Sequence, residues 1–218
     1  MDRIIIYHGS EKIIEKPIFN KQSKNNDYGP AFYCTRDIEA AKEWANRKSE
    51  NGYVNKYQFD TRGLNVLDLS KYDVLNWIAV LLHYRELDPV FKETYKKELD
   101  YLEKHYFIDV SKYDVVIGYR ADDSFFTFPI MFVKSQIRVI RLKQIYELGF
   151  LGKQIAIVSI KAFNKLKYLG SQKVKPIYKS KYAYRINEAD RRFNEIALEE
   201  RWLEGDRLIN LVKKDDQH

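Results

Sequence analysis

Three short groups of residues near the N-terminus carry chemistry. Tyr7-His8-Gly9-Ser10 closes the opening apolar run Ile4-Ile5-Ile6, Gly29-Pro30-Ala31-Phe32-Tyr33-Cys34-Thr35 follows, and Trp44 comes next. A strand ending in His-Gly offers an imidazole to a sugar hydroxyl. Because glycine lacks a Cβ, that strand also offers backbone that a carboxamide can approach closely. Tyr33 and Trp44 add two rings that could grip a flat heterocycle. Taken singly, each group has an ordinary structural reading, because His-Gly dipeptides are common and Tyr and Trp are more often core than ligand contacts.

Local patterning supplies the elements that must position these groups. Residues 3–8 and 31–35 read as strands, each a short β-branched or aromatic run bounded by turn formers. The polar stretch between them, 20–30, reads as a loop that could close over a ligand. Thr35 offers an N-cap, with Asp37 and Glu39 in the first turn, for a helix to about Arg47. Its apolar stripe is Ile38, Ala41 and Ala45, with Trp44 beside it. Two strands are predicted at 53–59 and 65–69. An amphipathic helix capped by Asp73 follows, with Val74, Trp77, Ile78, Leu81 and Leu82 on its face and Trp77 in the core. Asp88-Pro89 starts a second helix through about Tyr106, with Phe91, Tyr95, Leu99 and Leu102 inward, so the two form a hairpin. Residues 113–118 read as a central strand, and Phe125-Phe126-Thr127-Phe128-Pro129 as buried. A short helix carrying Ile137, Ile140, Ile145 and Leu148 ends near Gly149. Residues 154–158 form a further strand, Ser159 caps a helix or turn, and 186–211 read as an appended helix with Phe193, Ile196, Ala197, Leu203 and Leu208 on one face.

Composition bounds the rest. The 218 residues, 45% hydrophobic and 32% charged, suffice for one good core, or for a domain with an appendage, in a soluble globular protein. No apolar run approaches the ~20 residues of a membrane span, and the N-terminus is too short for a secretory signal, so a cytoplasmic site of action and no membrane partner are expected. The single cysteine, Cys34, reads as a small buried filler, and the four histidines, His8, His83, His105 and His218, lack ligand spacing, so no metal is expected. The net charge of +7 is concentrated between Ala162 and Asn187, where Lys165, Lys167, Lys173, Lys175, Lys179, Lys181 and Arg185 occur without an acid. Tyr168, Tyr178, Tyr182 and Tyr184 are interleaved with them. Such a run can bind phosphates and stack bases, or it can be a solvated face with its tyrosines turned inward.

The order and spacing of the first groups resemble the ADP-ribosyltransferase superfamily, in the His-Tyr-Glu branch that includes diphtheria toxin and the poly(ADP-ribose) polymerases. In that pattern a His-Gly-Ser strand precedes a Gly-x-Gly-x-Tyr strand, and a second aromatic lies eleven residues on, the separation of Tyr33 and Trp44. The Asp-Tyr-Gly-x-x-Phe-Tyr-x-Thr pattern at 27–35 is similar to a bacterial family of uncharacterised function in that superfamily. The likeness continues through Asn65-Val66-Leu67-Asp68-Leu69, the Trp77 helix, Tyr113-Asp114-Val115-Val116-Ile117-Gly118 and Ala121-Asp122-Asp123, over roughly residues 3–170.

The resemblance implies an α+β fold with a split β-sheet core, flanking helices, an inserted helical hairpin and a C-terminal helix. Its domain would be residues 1–172, with 173–218 a basic segment and helix appended to it. It further implies NAD as co-substrate, cleaved between nicotinamide and ribose, with ADP-ribose passed to a protein or nucleic-acid acceptor. The setting would be a bacterial toxin with an antitoxin partner, or a phage-conflict effector. Tyr33 and Trp44 would hold the nicotinamide, the Gly9 backbone its carboxamide, and His8 an adenosine-ribose hydroxyl. Ser10 would assist, Thr35 would join the dinucleotide contacts, and Arg120 would meet the pyrophosphate, although a salt bridge is an equal reading for it.

The family's catalytic Glu position, at the start of the last catalytic strand, holds Gln154 here. An amide can orient a ribose hydroxyl but cannot serve as a base, so chain extension is not expected. Asp122 and Asp123 are candidate replacement bases, or else a turn and a helix cap. The alternatives to transfer are an NAD glycohydrolase, a catalytically inactive NAD-fold binder, and a nucleic-acid-binding protein without enzymatic function.

Overall fold

The computed structural model describes residues 3–19, 25–121, 126–147 and 152–217. The first sheet contains β1 (Arg3–Ser10), β3 (Tyr53–Asp60) and β7 (Leu166–Lys173), all antiparallel, in the order β1-β3-β7. The second contains β2 (Phe32–Cys34), β4 (Val66–Asp68), β5 (Val115–Tyr119) and β6 (Lys153–Ile157), in the order β2-β6-β5-β4. Among the described residues only the β4–β5 pair is parallel. Edge strands β1 and β2 meet through a bridge between Tyr7 and Thr35, with N–H···O distances of 2.8 and 2.9 Å. The protein is therefore α+β, with two sheets that touch edge to edge at this bridge.

Helices surround the sheets. They are α1 (Ile38–Ala45), α2 (Val74–Tyr84), α3 (Pro89–Thr94), α4 (Lys96–Tyr106), α5 (Thr127–Val133), α6 (Val139–Glu147), α7 (Ile160–Phe163), α8 (Ile177–Glu200) and α9 (Leu208–Asp215). In α2, eight of eleven residues are buried, which marks a helix apolar on nearly every side and therefore enclosed. Asp73 caps it by accepting from the Leu75 N–H at 2.9 Å. Trp77, fully buried, donates its indole N–H to Tyr28 Oη at 2.7 Å, and Tyr28 passes a hydrogen bond to the Tyr119 carbonyl at 2.5 Å. This chain ties the main core to the end of β5. Side chains of this size each contribute about 1.5–3 kcal/mol on burial. A second cluster lies against the sheets, with Ile6, Phe32, Cys34, Tyr57 and Phe59 in it.

Several local expectations change. Asp37, not Thr35, caps α1: its carboxylate takes the Glu39 N–H, and Thr35 Oγ1 instead accepts from the Asp37 N–H. The helix expected from Pro89 to Tyr106 is broken at Tyr95 into α3 and α4, although Phe91, Tyr95, Leu99 and Leu102 all face the core. Residues 166–173, read only as part of a basic run, form β7, whose exposed lysines mask a weak alternation. The last helix begins earlier than expected, at Ile177, and ends at Glu200, after which α9 returns Leu208 and Val212 to the main core. Ser159 caps α7 as expected, and Phe128 and Pro129 are buried. Phe125, Leu148 and Gly149 lie outside the described residues. Among the described residues, no helix is long and apolar enough to cross a membrane.

Candidate functional site

The gap between the sheets is built by β1. Tyr7 spends its peptide group on Thr35, and strand alternation turns the Gly9 N–H and C=O to that same side, beyond the bridge. Gly9 is glycine for a reason the sequence does not show. A Cβ there would lie 2.1 Å from the Ala41 carbonyl oxygen and 2.8 Å from the Ala45 nitrogen, so α1 rests directly on the strand. Ala41 and Ala45 are themselves buried, in a small cluster with Val54 and Val174.

His8 places Nδ1 2.7 Å from the Tyr33 carbonyl oxygen and its ring 4.4 Å from that of Phe32. Burial lowers its pKa, outweighing the Tyr33 carbonyl, so the imidazole is neutral at neutral pH. Donation from Nδ1 then leaves Nε2 as an acceptor for a hydroxyl. The Tyr33 hydroxyl donates to the Gly29 carbonyl at 2.7 Å and accepts from the Tyr28 N–H at 2.9 Å, which braces the 28–33 turn. Burial, and then the Asp27 carboxylate, raise its pKa and keep it a neutral phenol. Trp44 carries two guanidinium groups over its ring, Arg47 at 4.1 Å and Arg120 at 4.4 Å. A ring that was expected only to hold a ligand also aims two cations.

The floor contains a carboxylate to which sequence reasoning assigned no part. Asp27, 7% exposed, accepts from Gln154 Nε2 at 2.5 Å and from the Ala121 N–H at 3.1 Å through Oδ2. Its Oδ1 faces Arg85 Nε at 3.5 Å. Burial raises the Asp27 pKa, while Arg85 chiefly, with the Ala121 N–H, Gln154 and Arg120, opposes the rise. Gln154, 8% exposed, sits on β6 opposite Gly118 and also donates to the Tyr119 carbonyl at 3.3 Å. Gly118 must lack a side chain because a Cβ would lie 2.2 Å from Tyr28 Oη. The available signal for Asp27 was its place at the head of the Asp-Tyr-Gly-x-x-Phe-Tyr-x-Thr pattern.

These groups share one cleft of about 470 Å³, within the ~300–1,000 Å³ range of small-molecule sites. His8, Gly9, Tyr33, Thr35, Trp44, Arg120 and Gln154, all expected from the sequence, line it together with Asp27, Arg47 and Arg85. Ser10 is not in the lining: its hydroxyl donates to the Lys12 carbonyl at 2.5 Å and accepts from Asn55 Nδ2 at 3.0 Å. It fastens the segment after β1 to β3. Asp122 and Asp123 lie outside the described residues. Cys34 lines the cleft as well, but it is 4% exposed and burial pushes its thiol pKa well up, as suits a filler. Together the wall offers two ring-directed cations, a neutral imidazole, an aromatic face and a buried acid, a set suited to a ligand with an anionic group, a sugar and a flat ring.

The basic segment is occupied differently. Lys179 pairs with Glu50 at 3.8 Å, Lys181 with Glu39 at 4.0 Å and Arg185 with Glu43 at 2.7 Å, so α8 lies along the acidic side of α1. Tyr178 donates to Glu39 at 2.6 Å, and Tyr168 packs edge-on to Tyr57 at 5.8 Å. Asn46 joins the end of α1 to this segment through the Lys175 carbonyl at 2.9 Å.

No curated protein and no solved structure matches the chain. The profile described as "Protein of unknown function (DUF3990)" matches residues 4–168, which takes in both sheets up to the middle of β7 and every described wall of the cleft, and the chain belongs to that family.

Proposed function

We propose that this protein is an NAD-dependent mono-ADP-ribosyltransferase with an ADP-ribosyltransferase-like fold. The observation that carries the reading is convergence: His8, Gly9, Tyr33, Trp44, Arg120 and Gln154, chosen from sequence, line one cleft where two sheets part. In this reading the nicotinamide lies against Tyr33, with the Gly9 peptide at its carboxamide and His8 Nε2 accepting from a ribose hydroxyl. Arg47 and Arg120, held over Trp44, face the diphosphate as charge-assisted donors. Gln154 lies at the ribose. NAD is the co-substrate, and its glycosidic bond breaks through an oxocarbenium-like state that a fixed polar wall stabilises.

The acceptor is a protein side chain or a nucleic acid. The ion pairs of Lys179, Lys181 and Arg185 favour the protein, because three of the segment's cations face acids of α1 or of the loop after it. The setting proposed for this activity is a cytoplasmic effector of a bacterial toxin–antitoxin or phage-conflict system, with an antitoxin as partner.

Incubation with NAD labelled in its adenylate half, in cell extract, tests the reading. Label on macromolecules is the expected result. Free ADP-ribose alone would identify a glycohydrolase, and NAD binding without turnover would identify an inactive binder. Absence of NAD binding would overturn the proposal.

A further inference from the structure

We propose that Asp27 is the positioning residue of this cleft, acting through Gln154: its carboxylate turns the Gln154 carbonyl oxygen to the sugar and lends that oxygen negative charge. The inference rests on the reading of the cleft as an NAD site. A glutamine amide has two N–H donors and one carbonyl acceptor. Here Nε2 faces two acceptors, Asp27 Oδ2 at 2.5 Å and the Tyr119 carbonyl at 3.3 Å. Both amide protons are thereby assigned, and a flipped amide would set oxygen against a carboxylate. The carbonyl oxygen is the polar atom that Gln154 has left for a ligand.

Charge enters through the same contact. Arg85 sits on Oδ1, held there by its own bonds to the carbonyls of Asn25 at 3.2 Å and Ala121 at 3.1 Å. It opposes the rise in pKa that burial imposes on Asp27 and occupies the Oδ1 side, so that Oδ2 is the oxygen turned to Gln154 and the Ala121 N–H. A hydrogen bond from an amide to an anion polarises the amide, so its carbonyl oxygen becomes more negative, most effectively where water is excluded. Gln154 alone is neutral. Backed by Asp27, it presents a partial charge where the sugar carbon becomes cationic.

In the reaction the bond from the ribose C1′ to the nicotinamide nitrogen breaks, and its electron pair leaves on that nitrogen, giving neutral nicotinamide. The acceptor's nucleophilic atom then bonds to C1′, and its proton passes to water. Asp27 and Gln154 begin and end unchanged, so neither needs to act as a base.

The test measures nicotinamide release and NAD affinity in the full chain for Asp27→Asn, Gln154→Glu and the double variant. Asp27→Asn keeps an acceptor for Gln154 and removes the charge. It is expected to lower kcat roughly 100-fold, the scale of one lost preorganised electrostatic contact, with NAD affinity within about threefold. The double variant moves the charge to position 154, where the amide introduced at position 27 can donate to it, and is expected to recover at least about tenfold of that loss. A structural role alone would give no such recovery. Thermal melting follows folding in each case. Should Asp27→Asn melt early, Gln154→Ala, which leaves the Asp27–Arg85 pair in place, is expected to show the same fall in kcat with binding retained.

Wild-type turnover in a folded Asp27→Asn protein, or a double variant no faster than Asp27→Asn, would overturn this inference and leave the NAD reading standing. A wild type that binds NAD without releasing nicotinamide would also overturn it. A wild type that binds no NAD would overturn both.

Discussion

The cleft and the basic segment both drew notice in the sequence through aromatic residues set among polar ones, and the fold treats them in opposite ways. At the cleft, residues as distant as Asp27 and Gln154, 127 positions apart, turn toward a shared space. Along α8, Lys179, Lys181 and Arg185 turn toward acids of α1 and its following loop, and the charges meet inside one surface. A concentration of chemically capable side chains is therefore a weak sign of a site. Convergence on a void that the backbone keeps open is a stronger one, because it costs packing and must be built.

Four perturbations put that contrast at risk. The largest is Gly9→Val, which would drive a side chain into the backbone of α1 and is expected to cost about 3 kcal/mol or more. On a chain of this size that is a fall of roughly 6–12 °C in Tm, read by calorimetry. A variant melting like the wild type would show that α1 does not depend on this contact.

Next, Tyr33→Ala is expected to weaken NAD roughly 100-fold by titration calorimetry, through loss of an aromatic face worth about 2–3 kcal/mol. Tyr33→Phe removes only the bonds to Gly29 and Tyr28 and is expected to cost about 1 kcal/mol of stability, with a smaller effect on affinity. If Tyr33→Ala unfolds the chain and Tyr33→Phe leaves NAD affinity unchanged, the residue belongs to the core.

A smaller effect should follow pH. The His8 pKa is lowered by burial, so the neutral imidazole is the form that folding favours. Its stabilisation is complete above the ordinary value of 6.5 and is lost as pH falls below it toward the folded value. Tm is expected to fall as pH drops below about 6.5, with part of that slope absent in His8→Gln. An identical slope in the variant would remove His8 as its source.

The smallest effect is expected at the paired surface. Glu39→Gln with Glu43→Gln removes acids facing Lys181 and Arg185 and should cost less than about 1 kcal/mol per pair, with NAD affinity unchanged. In a gel shift at two salt concentrations the double variant should retain nucleic acid better than wild type at low salt, and the difference should vanish at high salt. Strong, salt-steep binding by the wild type itself would restore the segment as a nucleic-acid surface.

Most secondary elements were legible in the sequence because their signals are local. The Asp73 cap, the apolar face of α2 and the β-branched runs at β1 and β5 each declare themselves within a dozen residues, although α2, read as amphipathic, is buried on nearly every side. Two features carry weak local signals: β7 is masked by its exposed lysines, and the break at Tyr95 lies inside an unbroken helical periodicity. His8, Tyr33 and Trp44 were legible as a group only through the motif order that the family resemblance supplied, each being ordinary by itself. Asp27 was visible in its motif, yet its partner Gln154 lies far along the chain, so nothing nearby marked it as part of a pair.

Local signals in the chain were enough to establish a mixture of helices and strands, the helix caps at Asp73 and Ser159, and the burial of Trp77 and Cys34. Those follow from polarity and spacing over one or two turns. Long-range packing was needed to settle that β1 and β2 part beyond the Tyr7–Thr35 bridge, that Arg120 reaches the Trp44 ring, that Asp27 grips Gln154, and that α8 lays its cations against α1. Each of these is a contact between segments whose separation along the chain carries no periodic signal. Which strand edges and helix faces meet is chosen by packing the whole core at once.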